Sequence, residues 1–171
     1  MSILRPERAN PSPEPTALSQ RITFSAVTSA DFDQLVALRI AAMRNSLERV
    51  GRFDPERARE RFRKSFFPDH TKFILLDTQR VGFYTFRATE EAFHLDHLYI
   101  HPNHQAGGIG SHVMRHLLSW SDAREMPVQL GALRDSSANR FYQRHGFVRV
   151  REDEWDIYYV RTPSLNETGN V

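Results

Sequence analysis

The sequence predicts an α/β fold of the α+β kind, a single domain whose mixed, mostly antiparallel central sheet is flanked by about four helices. Three observations lead there. Seven short segments have the length and apolar patterning of strands. Four segments between them repeat apolar residues at helical spacing or carry helix caps. A length of 171 residues, 40% hydrophobic and 26% charged, is one ordinary globular domain's worth.

The elements follow in order. Residues 1–20 carry Pro6, Pro11, Pro13 and Pro15 and too little apolar surface to offset the entropy of ordering, so they read as a flexible tail. The domain then spans 21–162, with 163–171 as a second tail. Residues 21–27 alternate as a strand, and Thr28 or Ser29 caps a helix whose stripe is Phe32, Leu35, Val36, Met43, Leu47 and Val50, ending at Gly51. Asp54-Pro55 places a cap before a first-turn proline and opens a second helix to about Phe66. Residues 73–77, 81–87 and 93–100 read as an antiparallel meander that ends at Pro102. Ile109, Val113, Met114, Leu117 and Leu118 mark a third helix, 128–133 a strand, and 137–145 a short helix closed by Gly146. Residues 147–151 and 155–161 complete the sheet as an antiparallel pair.

Composition excludes several classes of function. Arg39, Arg44, Asp77 and Asp96 cut every apolar run far short of a membrane span, and residues 1–20 lack the apolar core of a signal peptide, so a cytoplasmic protein is expected. With 23 Lys and Arg against 21 Asp and Glu, the net charge of +2 gives no electrostatic case for nucleic acid. Cysteine is absent, which removes disulfides, thiolate metal sites and a cysteine nucleophile.

The most informative segment runs from Leu98, Tyr99 and Ile100 through His101-Pro102-Asn103-His104 to Gln105, Ala106, Gly107, Gly108, Ile109, Gly110 and Ser111. A strand leads through glycines into a helix start, where bare backbone N–H groups and the positive dipole end favour an anion. A tight turn alone explains glycines as well. No Lys-Ser/Thr pair follows Gly110 and no acidic ribose partner follows in a βαβ unit, which disfavours nucleotide hydrolysis and dinucleotide binding.

The segment resembles the acetyl-CoA loop of the GCN5-related N-acetyltransferases, Arg/Gln-x-x-Gly-x-Gly/Ala, through Gln105, Gly108 and Gly110. A second stretch, Asn139-Arg140-Phe141-Tyr142-Gln143-Arg144-His145-Gly146-Phe147, is similar to that family's Asn-x-x-Ala/Phe-Tyr-x-x-x-Gly-Phe signature. The element order from Arg21 to Arg161 agrees as well. The resemblance implies a sheet split by a V-shaped cleft, acetyl-CoA as donor, and direct transfer to a primary amine within a ternary complex. It also implies that Leu98 and Ile100 pair with the cofactor arm, that Gln105 to Ser111 hold the pyrophosphate, and that Asn139 is a ligand of the arm. The acceptor, a small-molecule or peptide amine, is left open, and a homodimer is common in such folds. The alternative is a silent acyl-CoA-binding sensor or scaffold.

Tyr142 is the candidate general acid, since a phenol of ordinary pKa near 10 can return a proton to a departing thiolate. Spacing alone favours packing in an aromatic cluster with Phe141 and Phe147 over catalysis. The family resemblance reverses those odds. His94 stands where histone-modifying relatives carry a catalytic Glu, and Asp96 follows two residues on, on the same strand face; either is a candidate base, with water as the other. His94, His97, His101 and His104 with Asp96 raise a rival metal-site reading. Residues three apart in a strand face opposite sides, so His94 and His97 converge only across a bulge. His112 and His116 share a helix face, but Val113 stands where a zincin Glu belongs.

Arg39 falls within the apolar stripe of the first helix, and a buried Arg needs an anion. That anion is either a sheet carboxylate or a substrate carboxylate. Arg44, Trp155 and Tyr158 are further acceptor-site candidates. Arg57, Arg59, Arg61, Arg63 and Lys64, interrupted by Glu56 and Glu60, read as a solvated face laced by weak ion pairs.

Overall fold

In the computed structural model, which describes residues 17–164, the predicted elements occur in the predicted order with one addition. A short helix α1 (Ala17–Arg21) precedes β1 (Ile22–Ala26), inside what reads as tail; Leu18 has an apolar surface to pack on, the main core. The rest of both predicted tails lies outside the described residues, apart from 163 and 164. Helices α2 (Phe32–Arg49) and α3 (Pro55–Lys64) are followed by β2 (Thr71–Leu76), β3 (Gln79–Ala88) and β4 (Phe93–Ile100). Then come α4 (Ile109–Ala123), β5 (Val128–Leu133), α5 (Ala138–Arg144), β6 (Val148–Glu152) and β7 (Asp156–Arg161). The Asp54 cap works as its spacing predicts, accepting from the Arg57 amide at 3.1 Å.

The seven strands form one sheet in the order β1-β2-β3-β4-β5-β7-β6. All neighbours are antiparallel except β4 and β5, which are parallel and meet at only two register positions, Phe93↔Val128 and His94↔Gln129. The strands diverge beyond His94, and this divergence opens a cleft. On its other edge β4 pairs with β3 along its whole length, with one irregularity: Thr85 faces His97 and Phe86 faces Leu95, so Asp96 is an extra residue in β4. Through the bulge Asp96 and His97 both reach the α2–α3 side, while Leu95, Leu98 and Ile100 pack toward α4.

The sheet thereby separates two cores. On one face, Val113, Met114 and Leu117 of α4 pack on Ile74, Val81, Val128 and Tyr159 of the sheet. On the other, Leu35, Val36 and Leu38 of α2 and Phe62 of α3 cover Phe73 and Phe83. Phe62 is the hub of this second core, with Phe32, Phe66, Phe83 and His97 around it at centroid distances of 5.0–5.7 Å.

Gly82 of β3 shows how tightly the sheet is drawn. A Cβ there would lie 2.2 Å from the Tyr99 carbonyl oxygen of β4, and a backbone oxygen held in a ladder cannot move aside. Gly82→Ala is therefore expected to destabilise the protein by about 3 kcal/mol or more, a fall of roughly 10 °C in Tm. Thermal unfolding followed by circular dichroism measures it.

Candidate functional site

The cleft between β4 and β5 has a volume of about 1320 Å³ and runs from the α2–α3 face to the start of α4 and α5. Its walls are built locally. The His101 amide donates to the Val81 carbonyl, so by strand alternation the Tyr99 backbone also faces β3, and the amides and carbonyls of Leu98 and Ile100 face the cleft. The Ile100 carbonyl is taken by Gln105, whose Nε2 donates to it at 2.9 Å. Leu98 is thus the cleft-facing residue next past the bulge, its N–H aimed where no strand pairs with it.

Gly108 has φ 84°, left-handed, and turns the loop into α4. Any side chain there is strained by the backbone, and a Cβ would also come within 3.3 Å of Leu18 of α1. The first intrahelical acceptance by this residue is the His112 amide on the Gly108 carbonyl at 3.0 Å. The amides of Ile109, Gly110 and Ser111 therefore precede the hydrogen-bonded ladder, and all three residues line the cleft. Gln105, Ala106 and Gly108 line it too, while Gly107 does not. Bare amides at the start of a 15-residue helix, beside a strand edge that lacks a partner, fit a diphosphate joined to an arm carrying amides.

Tyr142 lies across the cleft on α5. It is 8% exposed, its ring packed against Phe141, Phe147 and Tyr159 while the residue lines the cleft. Packing and a place in the site thus coexist. Burial, with a smaller contribution from the nearby Tyr99, pushes its phenol well above the ordinary value. It therefore holds its proton at neutral pH. His94 also lines the cleft, at the last position where β4 and β5 pair.

Three expectations are corrected here. Asn139 does not line the cleft: its Nδ2 donates to the carbonyls of Leu133, Arg134 and Ser136 at 2.8–2.9 Å and its Oδ1 accepts from the Tyr159 hydroxyl at 2.8 Å. Every group of the amide is used in tying β5, α5 and β7 together. Asp96 is held by Arg87 in a two-pronged ion pair, with Nη2 to Oδ1 at 3.1 Å and Nε to Oδ2, so its carboxylate is committed. Of the acceptor candidates, Arg39 and Tyr158 line the cleft, but Arg44 pairs with Glu48 and stacks on Phe53, and Trp155 lies under the Arg52 guanidinium.

The sequence reading missed part of the α2–α3 wall. Arg57 and Arg61, one turn apart, line the cleft, as do Ser65, Met43 and Leu47. Arg59 and Arg63 turn the other way, stacking on Phe32 with Arg59 also paired to Asp33 at 2.7 Å. The four-residue spacing of Arg57, Arg61 and Ser65 is the signal that marks this face. The bulge also brings His94 and His97 to one side of β4. No group of three or more metal-ligating side chains forms among the described residues.

His97 is 7% exposed, its Nε2 3.0 Å from the Ser65 hydroxyl and its Nδ1 buried without a partner. Burial, then the charge of Arg39, lowers its pKa from 6.5 to about 4.

Comparison with known proteins agrees with this geometry. Residues 68–149 match the family model for the acetyltransferase (GNAT) domain. Among solved structures, PaiA N-acetyltransferase from Thermoplasma acidophilum, in complex with coenzyme A, is similar with a TM-score of 0.68 at 15% identity, over 82% of this chain and 98% of that one. An acetyltransferase from Thermus thermophilus gives 0.64 at 18% identity over 82% and 96%. Ard1 from Thermoplasma volcanium gives 0.61 at 18% identity over 84% and 99%. No curated protein matches the chain by sequence. Residues 68–149 thus carry a GNAT acetyltransferase domain, a domain whose acetyl donor is acetyl-CoA.

The buried imidazole sets a pH dependence. Below pH 6.5 the unfolded chain protonates this histidine while the folded chain resists until about pH 4, so stability falls as pH drops through that window. The loss assigned to His97 is up to about 3 kcal/mol. Denaturant titrations from pH 7 to 4 should show a shallower pH slope for His97→Leu than for the parent chain.

Proposed function

We propose that the protein is an acetyl-CoA-dependent N-acetyltransferase that transfers the acetyl group to a primary amine by direct attack while donor and acceptor are both bound. The observation that carries this reading is the unpaired edge of β4 at Leu98, ending in the bare amides of Ile109, Gly110 and Ser111 and faced by the protonated phenol of Tyr142.

Each group has one task. Ile109, Gly110 and Ser111 hold the pyrophosphate through their amides, and the backbone of Leu98 and Ile100 orients the arm, with Tyr99 and Gln105 fixing the strand and its following turn. The donor supplies the acetyl thioester. The Leu98 N–H donates to the carbonyl oxygen on which negative charge develops as the amine nitrogen bonds to the carbonyl carbon. Tyr142 gives its proton to the sulfur as the carbon–sulfur bond breaks, and regains one when the acylated nitrogen sheds its own. His94 serves as base. Four residues of strand separate it from Leu98, roughly 13 Å, so the acceptor's proton reaches it through water.

No cysteine is available to form an acyl-enzyme, and Asp96 is held by Arg87, which leaves direct transfer as the economical route. No described helix is long and apolar enough to cross a membrane, and the acceptor is drawn from small or peptide amines. Tyr142→Phe is expected to lower kcat by about 10- to 100-fold while the dissociation constant for acetyl-CoA changes less than threefold or so. Thiol release against an amine panel and calorimetric titration with acetyl-CoA measure the two. Unchanged turnover across pH overturns the acid assignment.

A further inference from the structure

Arg39 is a half-buried cation in the wall of the cleft with no anion paired to it among the described residues. Its Nη1 donates to the Ala58 carbonyl at 3.1 Å, its Nε is buried without an acceptor, and its Cζ lies 5.9 Å from the centroid of the Tyr99 ring. Among the described residues no carboxylate pairs with it. The sheet carboxylate within reach of this layer, Asp96, is taken by Arg87. His97 also lies beside Tyr99, centroid to centroid 5.8 Å, with its Nδ1 buried and unpartnered. The Ser65 hydroxyl is closer to His97 Nε2, at 3.0 Å, than to the carbonyls of Phe62 and Arg61 at 3.3 and 3.4 Å. In the tautomer in which the hydroxyl donates to Nε2, the ring hydrogen sits on Nδ1. In that tautomer two N–H donors without acceptors lie beside one tyrosine in the wall of one cleft, and a buried donor left unpaired costs free energy.

The surrounding charge has the same sign. Arg52, Arg57 and Arg61 line this arm with Arg39. Of the carboxylates facing it, Asp96 is neutralised in the Arg87 pair, which leaves Asp54, capping α3, and Asp156 against four guanidinium groups. An ammonium group with no anion beside it would enter a site whose fixed charge opposes it, and it has no acceptor for the unpaired donors.

We infer that the acceptor is an amine that also bears a carboxylate, and that Arg39, with His97 beside it, binds that carboxylate. The inference rests on the acetyl-transfer reading for the identity of the amine, and on the α2–α3 wall alone for the carboxylate. It makes Arg39 and His97 determinants of specificity, with Arg57 and Arg61 drawing the anion in.

The test uses the full chain with coenzyme A and a panel of amino acids, each beside its amide and its decarboxylated amine. The 15N resonance of the Arg39 Nε–H, assigned by its loss in Arg39→Gln, is followed during titration. It should shift saturably with carboxylates and stay in place with the matched amides. In thiol release, acids should exceed their amides by about tenfold or more in kcat/KM; Arg39→Gln should erase that preference, and Arg39→Lys, which keeps the charge, should restore part of it. A resonance unmoved by every carboxylate, or one moved equally by amides, overturns the proposal whether or not any amine is acetylated. Thiol release with amides and simple amines alone overturns it while leaving acetyl transfer intact. Failure of acetyl-CoA to bind, with the Arg39 shift present, sinks the acetyl-transfer reading and keeps the carboxylate site.

Discussion

The sheet is held open where a sheet ordinarily closes. Backbone N–H and C=O groups demand partners, and two parallel strands that begin to pair at Phe93 and His94 would ordinarily continue. That β4 and β5 instead part after two positions is the constraint on which the cleft depends, and other features of the fold brace it. On the β4 side, the extra residue at Asp96 re-aims the strand, and the Arg87–Asp96 pair ties the bulge back to β3. His97, stacked among Phe62, Phe83 and Tyr99, anchors the far side of the bulge in the aromatic layer under α3.

The β5 side is braced separately. Beyond His94, β5 takes its pairing from β7 over six positions, 128–133 against 156–161. Asn139 then bonds the carbonyls just past the end of β5 and the Tyr159 hydroxyl on β7, so the start of α5 is fixed to two strands at once. Arg161 at the end of β7 reaches Asp122 of α4 at 2.7 Å, tying this half to the helix whose first turn lines the cleft. An Asn in this position has a chemical reason: its amide offers two N–H donors, one of them shared, for three carbonyls, and an acceptor for a hydroxyl. These bonds fix the start of α5 and with it Tyr142, three residues further along.

Much of this was legible in the residues. The alternation of β1 to β7, the Asp54-Pro55 start and the glycine loop before Ile109 are local signals, and each element formed where its local chemistry points. Residues 17–20 were not legible as structure because helix α1 exists by packing Leu18 against the core and the Gly108 turn, a contact over 90 residues away in sequence. Asp96 and Asn139 were misread for a related reason. Both are polar residues near a cleft, and only the three-dimensional arrangement shows that Arg87 and three carbonyls have already claimed them. Arg39 was legible as a problem, a cation in an apolar stripe, but not as a solution, since two kinds of anion could answer it. Arg57 and Arg61 were hidden by the alternation of the helix itself, which sends Arg59 and Arg63 to the outside and makes the whole run look solvated.

Burial in this cleft has a consequence for proton traffic. Tyr142 is pushed up and His97 pushed down for the same reason, that a dry environment disfavours whichever form is charged. Neither group is a charge reservoir at neutral pH. A phenol of ordinary pKa about 10 is already a weaker acid than a thiol of about 8.5, so proton transfer to a thiolate in water would run uphill. A thiolate bound in the cleft would lose hydration as well, and its pKa would rise alongside the phenol's. The relevant quantity is the difference between the two, which shared burial leaves small, rather than either value alone. The site therefore needs no tuning of Tyr142 toward neutrality to make it an acid. The packing of Phe141, Phe147 and Tyr159 around a cleft-lining ring gives the hydroxyl that dry place, and the proposed transfer would need the sulfur there as well.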